Sequence, residues 1–72
     1  MSKFKVAVSV RDPADLCSEA IEFGVDANRI PGLNRMVEVT GPYDELMEFL
    51  PEAVGMTGDE ADTFVEVYGR EV

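Results

Sequence analysis

From Lys3 to Val10 the chain alternates. Phe4, Val6, Val8 and Val10 share one side, and Lys3, Lys5, Ala7 and Ser9 share the other. A two-residue period rich in β-branched residues predicts a strand with one buried face. The period then lengthens. Leu16, Cys17, Ala20, Ile21 and Phe23 recur at helical spacing, with Asp15, Ser18, Glu19 and Glu22 on the polar side. Asp12 is placed to cap this helix, Pro13 suits its first position, and Asp15 adds an anion to the first turn, where the helix dipole favours one. Gly24 marks its end.

Ala27 to Ile30 is long enough for a short edge strand. Pro31-Gly32 forms the centre of a type II turn, because Pro fixes one φ and Gly supplies the positive one. The chain returns over Leu33 to Thr40, with Leu33, Arg35, Val37 and Val39 on one face and Asn34, Met36, Glu38 and Thr40 on the other. Gly41-Pro42 opens a second helix on which Tyr43, Leu46, Met47 and Leu50 face inward and Asp44, Glu45 and Glu48 outward. Pro51 is expected to end or kink it, with one further turn over 52–54. Residues 55–58 read as loop and 59–62 as acidic loop. Thr63 to Tyr68 alternates again, Val65 and Val67 against Phe64, Glu66 and Tyr68.

The predicted order is βαββαβ, with the second strand short or absent. That is the split-βαβ, ferredoxin-like pattern: an α+β, two-layer sandwich with both helices on one sheet face. The expected core joins Val6, Val8, Val37, Val39, Val65 and Val67 to Leu16, Ala20, Phe23, Leu46, Met47 and Leu50. The open sheet face would carry Lys3, Lys5, Ala7, Ser9, Met36, Glu38, Phe64, Glu66 and Tyr68. Its methionine and aromatics offer an association surface, and a homodimer through that face or a sheet edge is one expectation. Seventy-two residues make one domain that buries only about 60% of its unfolded surface.

Charge divides the chain. Residues 1–35 hold five basic and five acidic side chains, whereas residues 36–72 hold one basic and ten acidic. The net charge of −9 therefore lies entirely in the second half, and no basic residue occurs between Met36 and Gly69. Such an asymmetry bears on solubility and association and not on fold.

Little catalytic chemistry is legible. The chain has no His and a single Cys, so the usual structural zinc sets and the common nucleophilic triads are absent. Cys17, mid-helix, reads as a small core residue. Glycines stand singly at turns, not in a phosphate loop. Asp44 and Glu48, four apart, read as a solvated helix face and not as an acid pair. Gly58 with Asp59, Glu60 and Asp62 offers carboxylates for a weak Ca²⁺ contact but lacks the alternating spacing of an EF-hand loop. No cofactor is expected. No apolar run approaches the ~20 residues of a membrane span, and the opening decapeptide reads as a strand and not a leader. One unpaired cysteine suits a reducing, intracellular and cytoplasmic setting.

Two families share the expected topology. RNA-recognition modules place aromatics on the open sheet face, but Phe64 and Tyr68 fall on a different strand from the usual pair, and the charge repels phosphate. The stretch VRDPADLCSEAIEFGVDANRI, Val10 to Ile30, is similar to regulatory modules of the ACT type. Those carry a glycine after an Asp-x-Pro, where this chain has Ala14. The resemblance covers under a third of the chain. It implies a small-ligand site near Arg11 to Ala14 and the Pro31-Gly32 turn.

The leading expectation is a small, acidic, non-enzymatic binding protein whose carboxylates occupy the basic groove of a nucleic-acid-handling protein. It would mimic nucleic acid and bind none directly. Small acidic inhibitors encoded by viruses are similar in size and charge. The expected contact residues are Glu38, Asp44, Glu45, Glu48, Glu52, Asp59, Glu60, Asp62, Phe64 and Tyr68. Against it stand the ligand-binding module and an acidic domain whose charge serves solubility alone.

Overall fold

A computed structural model describes residues 3–72. The elements run β1 (Lys3–Ser9), α1 (Pro13–Phe23), β2 (Asp26–Arg29), β3 (Met36–Pro42), α2 (Tyr43–Val54), α3 (Gly58–Tyr68) and β4 (Arg70–Glu71). The four strands form one sheet in the order β2-β3-β1-β4, and every neighbouring pair is antiparallel. The architecture is α+β, a four-stranded antiparallel sheet with three helices, compatible with a two-layer sandwich.

β1 and β3 form the centre of the sheet, with Val6 opposite Val39 and Val8 opposite Val37. All four valines are buried, and the sheet joins α1, α2 and α3 in one core through Leu16, Ala20, Leu46, Phe49, Leu50, Ala61 and Val65. β2 is real and begins one residue earlier than expected. The turn after it has the predicted chemistry: the Leu33 amide donates to the Ile30 carbonyl at 3.1 Å across Pro31-Gly32, and Gly32 has φ +84°. β3 starts at Met36 and not at Leu33, which is exposed. The chain makes a second turn first, with the Met36 amide donating to the Leu33 carbonyl.

α1 has the expected caps. The Asp12 carboxylate accepts the Asp15 amide, and Gly24 adopts the left-handed conformation with φ 73°. The Val25 amide reaches back to the Ala20 carbonyl at 3.1 Å, the long bond of a Schellman ending, and Val25 and Ala20 are both buried. Val25 then lies against Gly41 so closely that a Cβ on that glycine would sit 2.7 Å from a Val25 methyl. A side chain at 41 would force Val25 to shift. Ile21 is not part of the core stripe; it is 80% exposed. On α1 the inward direction is set by Leu16 and Ala20, and Ile21 falls past the edge of that arc.

Three further expectations are corrected. Pro51 does not end α2, which continues to Val54 and closes at Gly55 (φ 81°) with the Gly55 amide on the Pro51 carbonyl. The proline removes one amide donor, but Ala53 and Val54 pack on the core beyond it and hold the last turn. Phe49, absent from the expected core, is fully buried and meets Phe23 edge-on at 5.5 Å between ring centres.

The largest change lies at residues 58–68, expected as acidic loop and strand and observed as α3. Thr57 accepts the Glu60 amide while the Glu60 carboxylate accepts the Thr57 amide, a reciprocal capping box that satisfies two otherwise orphaned donors. From this start Ala61, Phe64, Val65 and Tyr68 follow helical spacing. Val65 is buried as expected, whereas Val67 is 64% exposed. The true last strand, β4, has only two residues and pairs with Phe4 and Lys5. Beyond Lys5, the outer edge of β1 has no strand beside it among the described residues.

Candidate functional site

The acidic half of the chain folds into a helical hairpin. α2 and α3 are joined by residues 55–57 and pack on one another. Tyr43, the first residue of α2, ties the two helices together. Its hydroxyl donates a hydrogen bond to the Asp62 carboxylate on α3, and its ring meets Phe4 of β1 edge-on, 6.2 Å between centres. A phenol donating to a carboxylate resists losing its proton, because the product would be two anions in contact. The hydrogen bond to Asp62 therefore pushes the Tyr43 phenol up from 10.0 to about 12, and loss of solvent and the charges of Asp62, Glu66 and Asp44 act in the same direction. Carboxylates from both helices, Asp44 on one and Asp62 and Glu66 on the other, thus act on one phenol.

The expected contact residues divide into three groups. Asp44, Glu48 and Glu52 lie four residues apart along α2 and are exposed; Glu45, in the first turn, is half-buried. With Asp62 and Glu66 they belong to the hairpin surface. Glu38 does not join them. Val37 and Val39 are buried on the helix side, so strand alternation sends Glu38 to the open sheet face. There it lies 3.7 Å from the Lys5 ammonium, both side chains 40% exposed, an ion pair worth about 0–1 kcal/mol.

The third group corrects the aromatics. Phe64 and Tyr68 belong to α3 and not to a strand on the open face, and the same correction applies to Glu66. At 100° per residue, Phe64 and Tyr68 fall on the flank of α3 away from Asp62 and Glu66. Their ring centres are 5.2 Å apart and their planes meet at 49°. With Met56, Asp59, Glu60 and Thr63 they line a groove of ≈ 380 Å³. Tyr68 also borders a smaller cavity, ≈ 220 Å³, shared with Lys5, Ala7, Glu38 and Arg70.

The carboxylates of the Gly58–Asp62 stretch do not converge. Glu60 turns back to cap the helix and Asp62 turns to Tyr43. Among the described residues no group of three His, Cys, Asp or Glu side chains is arranged to hold a metal ion. Cys17 is half-buried, its sulfur 3.8 Å from the Ala27 carbonyl, as a core residue would be. A separate cleft of ≈ 350 Å³ opens where β1 leads into α1, lined by Ser9, Arg11, Asp12, Asp15, Glu19 and the end of α2. The Pro31-Gly32 turn does not border it. No helix among the described residues is long and apolar enough to cross a membrane.

Sequence reasoning missed Tyr43, Met56 and Glu66 as site residues. The spacing of Tyr43 from Leu46 and Leu50 predicts an inward-facing residue, whereas its hydroxyl reaches Asp62 on α3 and its side chain stays partly exposed. The signal for α3 itself was present as Thr57-x-x-Glu60 before Ala61. No family model, curated protein or solved structure matches the chain.

Proposed function

We propose that the chain is a small non-enzymatic binding protein whose α2–α3 hairpin docks its carboxylates on a basic protein surface, of the kind that otherwise holds nucleic-acid phosphates. The observation that carries this reading is the clustering of Asp44, Asp62 and Glu66 around Tyr43 in a segment where Met36 to Gly69 includes no cation. Like charges on adjoining helices repel one another. A basic partner relieves that repulsion on binding, and association should be fast and strongly salt-dependent. We further infer that the frame is ferredoxin-like, with α3 inserted between α2 and the last strand. The strand order and the antiparallel pairing support this. In that frame α3 is the addition to the helix layer, and it completes the hairpin beside α2 on a sheet that need not change to present it.

The test is affinity capture with the intact chain from its native host, followed by a salt series and competition with duplex DNA on the recovered partner. The reading expects binding that weakens steeply with salt and that DNA displaces. A partner without a basic surface, or one held equally well at high salt, would overturn it.

One observation favours a second reading as a ligand-binding module: the cleft beside Arg11, Asp12 and Asp15 lies after the first strand, where the ACT resemblance implies a site. Thermal shift against amino acids and nucleotides separates the two. A stabilisation by one ligand, abolished in Arg11→Ala, supports the module, and a flat panel removes it.

A further inference from the structure

We propose that the groove on the outer flank of α3 is a pocket for a single cationic side chain, Lys or Arg, presented by the basic partner. This rests on the docking reading above and assigns it one specific contact. Three features of the groove carry the inference.

The first is its floor. The Phe64 ring is half-buried against the core, while Tyr68, one turn on, is 67% exposed. Their planes are tilted by 49°, and both rings line the groove with Met56. A methylene stem can lie along such a floor while its charged head stays at the mouth. The faces of both rings carry the negative end of the aromatic quadrupole, which attracts a cation.

The second is its rim. Asp59 and Glu60 stand beside the rings. Glu60 spends one carboxylate oxygen on the Thr57 amide, which leaves the other available, and the Asp59 carboxylate has no hydrogen-bond or ion-pair partner among the described residues. An aliphatic guest would have to draw water away from both acids with nothing in return. A Lys or Arg side chain matches apolar floor and acidic rim together.

The third is the absence of an internal occupant. The described cations nearest Tyr68 are Lys5 and Arg70, which share its other cavity with Ala7 and Glu38, and Lys5 is engaged by Glu38. On the Phe64 side of Tyr68, no Lys or Arg among the described residues lines the groove. The hairpin carboxylates of α2 are then left for less specific charge contacts on the opposite flank.

The test titrates the folded chain with a fluorescent Lys/Arg-rich decapeptide and with a matched peptide carrying norleucine in place of each cation. Ring-proton NMR of Phe64 and Tyr68 is followed in parallel. Tyr68→Leu keeps apolar bulk and removes the ring face, Tyr68→Phe keeps the face, and Asp59→Asn removes one rim charge. Asp44→Asn with Glu48→Gln changes only the α2 side. Exposed cation–ring contacts predict a roughly two- to fivefold loss of affinity in Tyr68→Leu, a similar loss in Asp59→Asn, wild-type binding in Tyr68→Phe, and no binding of the norleucine peptide. If the α2 variant weakens the basic peptide while Tyr68→Leu and Asp59→Asn do not, the pocket is refuted and docking through the hairpin stands. Equal binding of the norleucine peptide, or self-association that Tyr68→Leu abolishes, also refutes the pocket. No binding of the basic peptide by the wild-type chain refutes both readings.

Discussion

The hydroxyl of Tyr43 and the carboxylate of Asp62, nineteen residues apart in sequence, form the described side-chain hydrogen bond between α2 and α3. It joins the first residue of α2 to the middle of α3. Tyr43 also touches Phe4, so the same residue couples the hairpin to the sheet. Removal of the hydroxyl in Tyr43→Phe keeps the ring contact and should loosen α3 selectively. Hydrogen exchange resolved to α2 and α3 tests this: faster exchange in α3 with β1 unchanged is the expected result.

The bond also sets a pH response. The folded state holds the Tyr43 proton more tightly than the unfolded chain, with the phenol near 12 against 10.0. The stabilisation is therefore fully present below about pH 10 and is lost as pH rises through the folded value near 12. Phenolate absorbance during an alkaline titration, as a difference between the wild-type chain and Tyr43→Phe, should place this transition. A Tyr43 signal that titrates at the ordinary phenol value would show that the Asp62 bond does not hold in solution.

Glu66 is a point of built-in repulsion. It lies in the last turn of α3, where the helix dipole disfavours an anion, and none of the described helices carries a basic residue in its last turn. It is also four residues from Asp62, a like-charge pair on one helix face. Glu66→Lys should raise stability by about 0.3–1 kcal/mol in urea unfolding at low salt. The gain should shrink as salt is added, and the Tyr43 phenol should titrate lower than in the parent chain.

α3 depends on its first turn. Thr57→Ala deletes one half of the capping box and should cost about 1 kcal/mol, read by urea unfolding, whereas Thr57→Ser should be close to neutral. Equal stability of all three proteins would mean that α3 starts elsewhere.

Core membership separates two residues of similar hydrophobicity. Phe49 is completely buried and Ile21 is 80% exposed. Phe49→Ala should lose about 3–5 kcal/mol, most of the stability available to so small a domain. Ile21→Ala should change stability by no more than about 0.5 kcal/mol. Urea midpoints of the two variants compare them directly.

These contrasts mark how far the chain could be read without its structure. β1, α1, the β2–β3 turn, β3 and α2 were legible because period, caps and turn residues agreed with one another. Thr63 to Tyr68 was not, because Val65 and Val67 satisfy a two-residue period while Ala61, Phe64, Val65 and Tyr68 satisfy a helical one. A short run fits both, and the arbiter lies outside it, in Thr57 and Glu60. Pro51 misled in the other direction, since a local rule about proline gives way when the following turn is packed. The acids were legible as a list but not as a surface. Glu38 differs from Asp44 only by lying on a strand whose alternation sends it to the opposite face. The pairing of Phe64 with Tyr68 beside Met56 follows from the helix, and was hidden as long as the helix was.

The brevity of β4 gives β1 two unlike borders. Its even-numbered amides point to β3, as the bond from the Val10 amide to the Arg35 carbonyl at 2.8 Å shows. Its odd-numbered groups point the other way, where the Lys3 carbonyl accepts the Val72 amide and the ladder stops at Lys5. The amides of Ala7 and Ser9 therefore stand at a margin inside a strand whose neighbours Val6 and Val8 are buried. Alternate residues along one central strand should trade deuterium with solvent at sharply different rates.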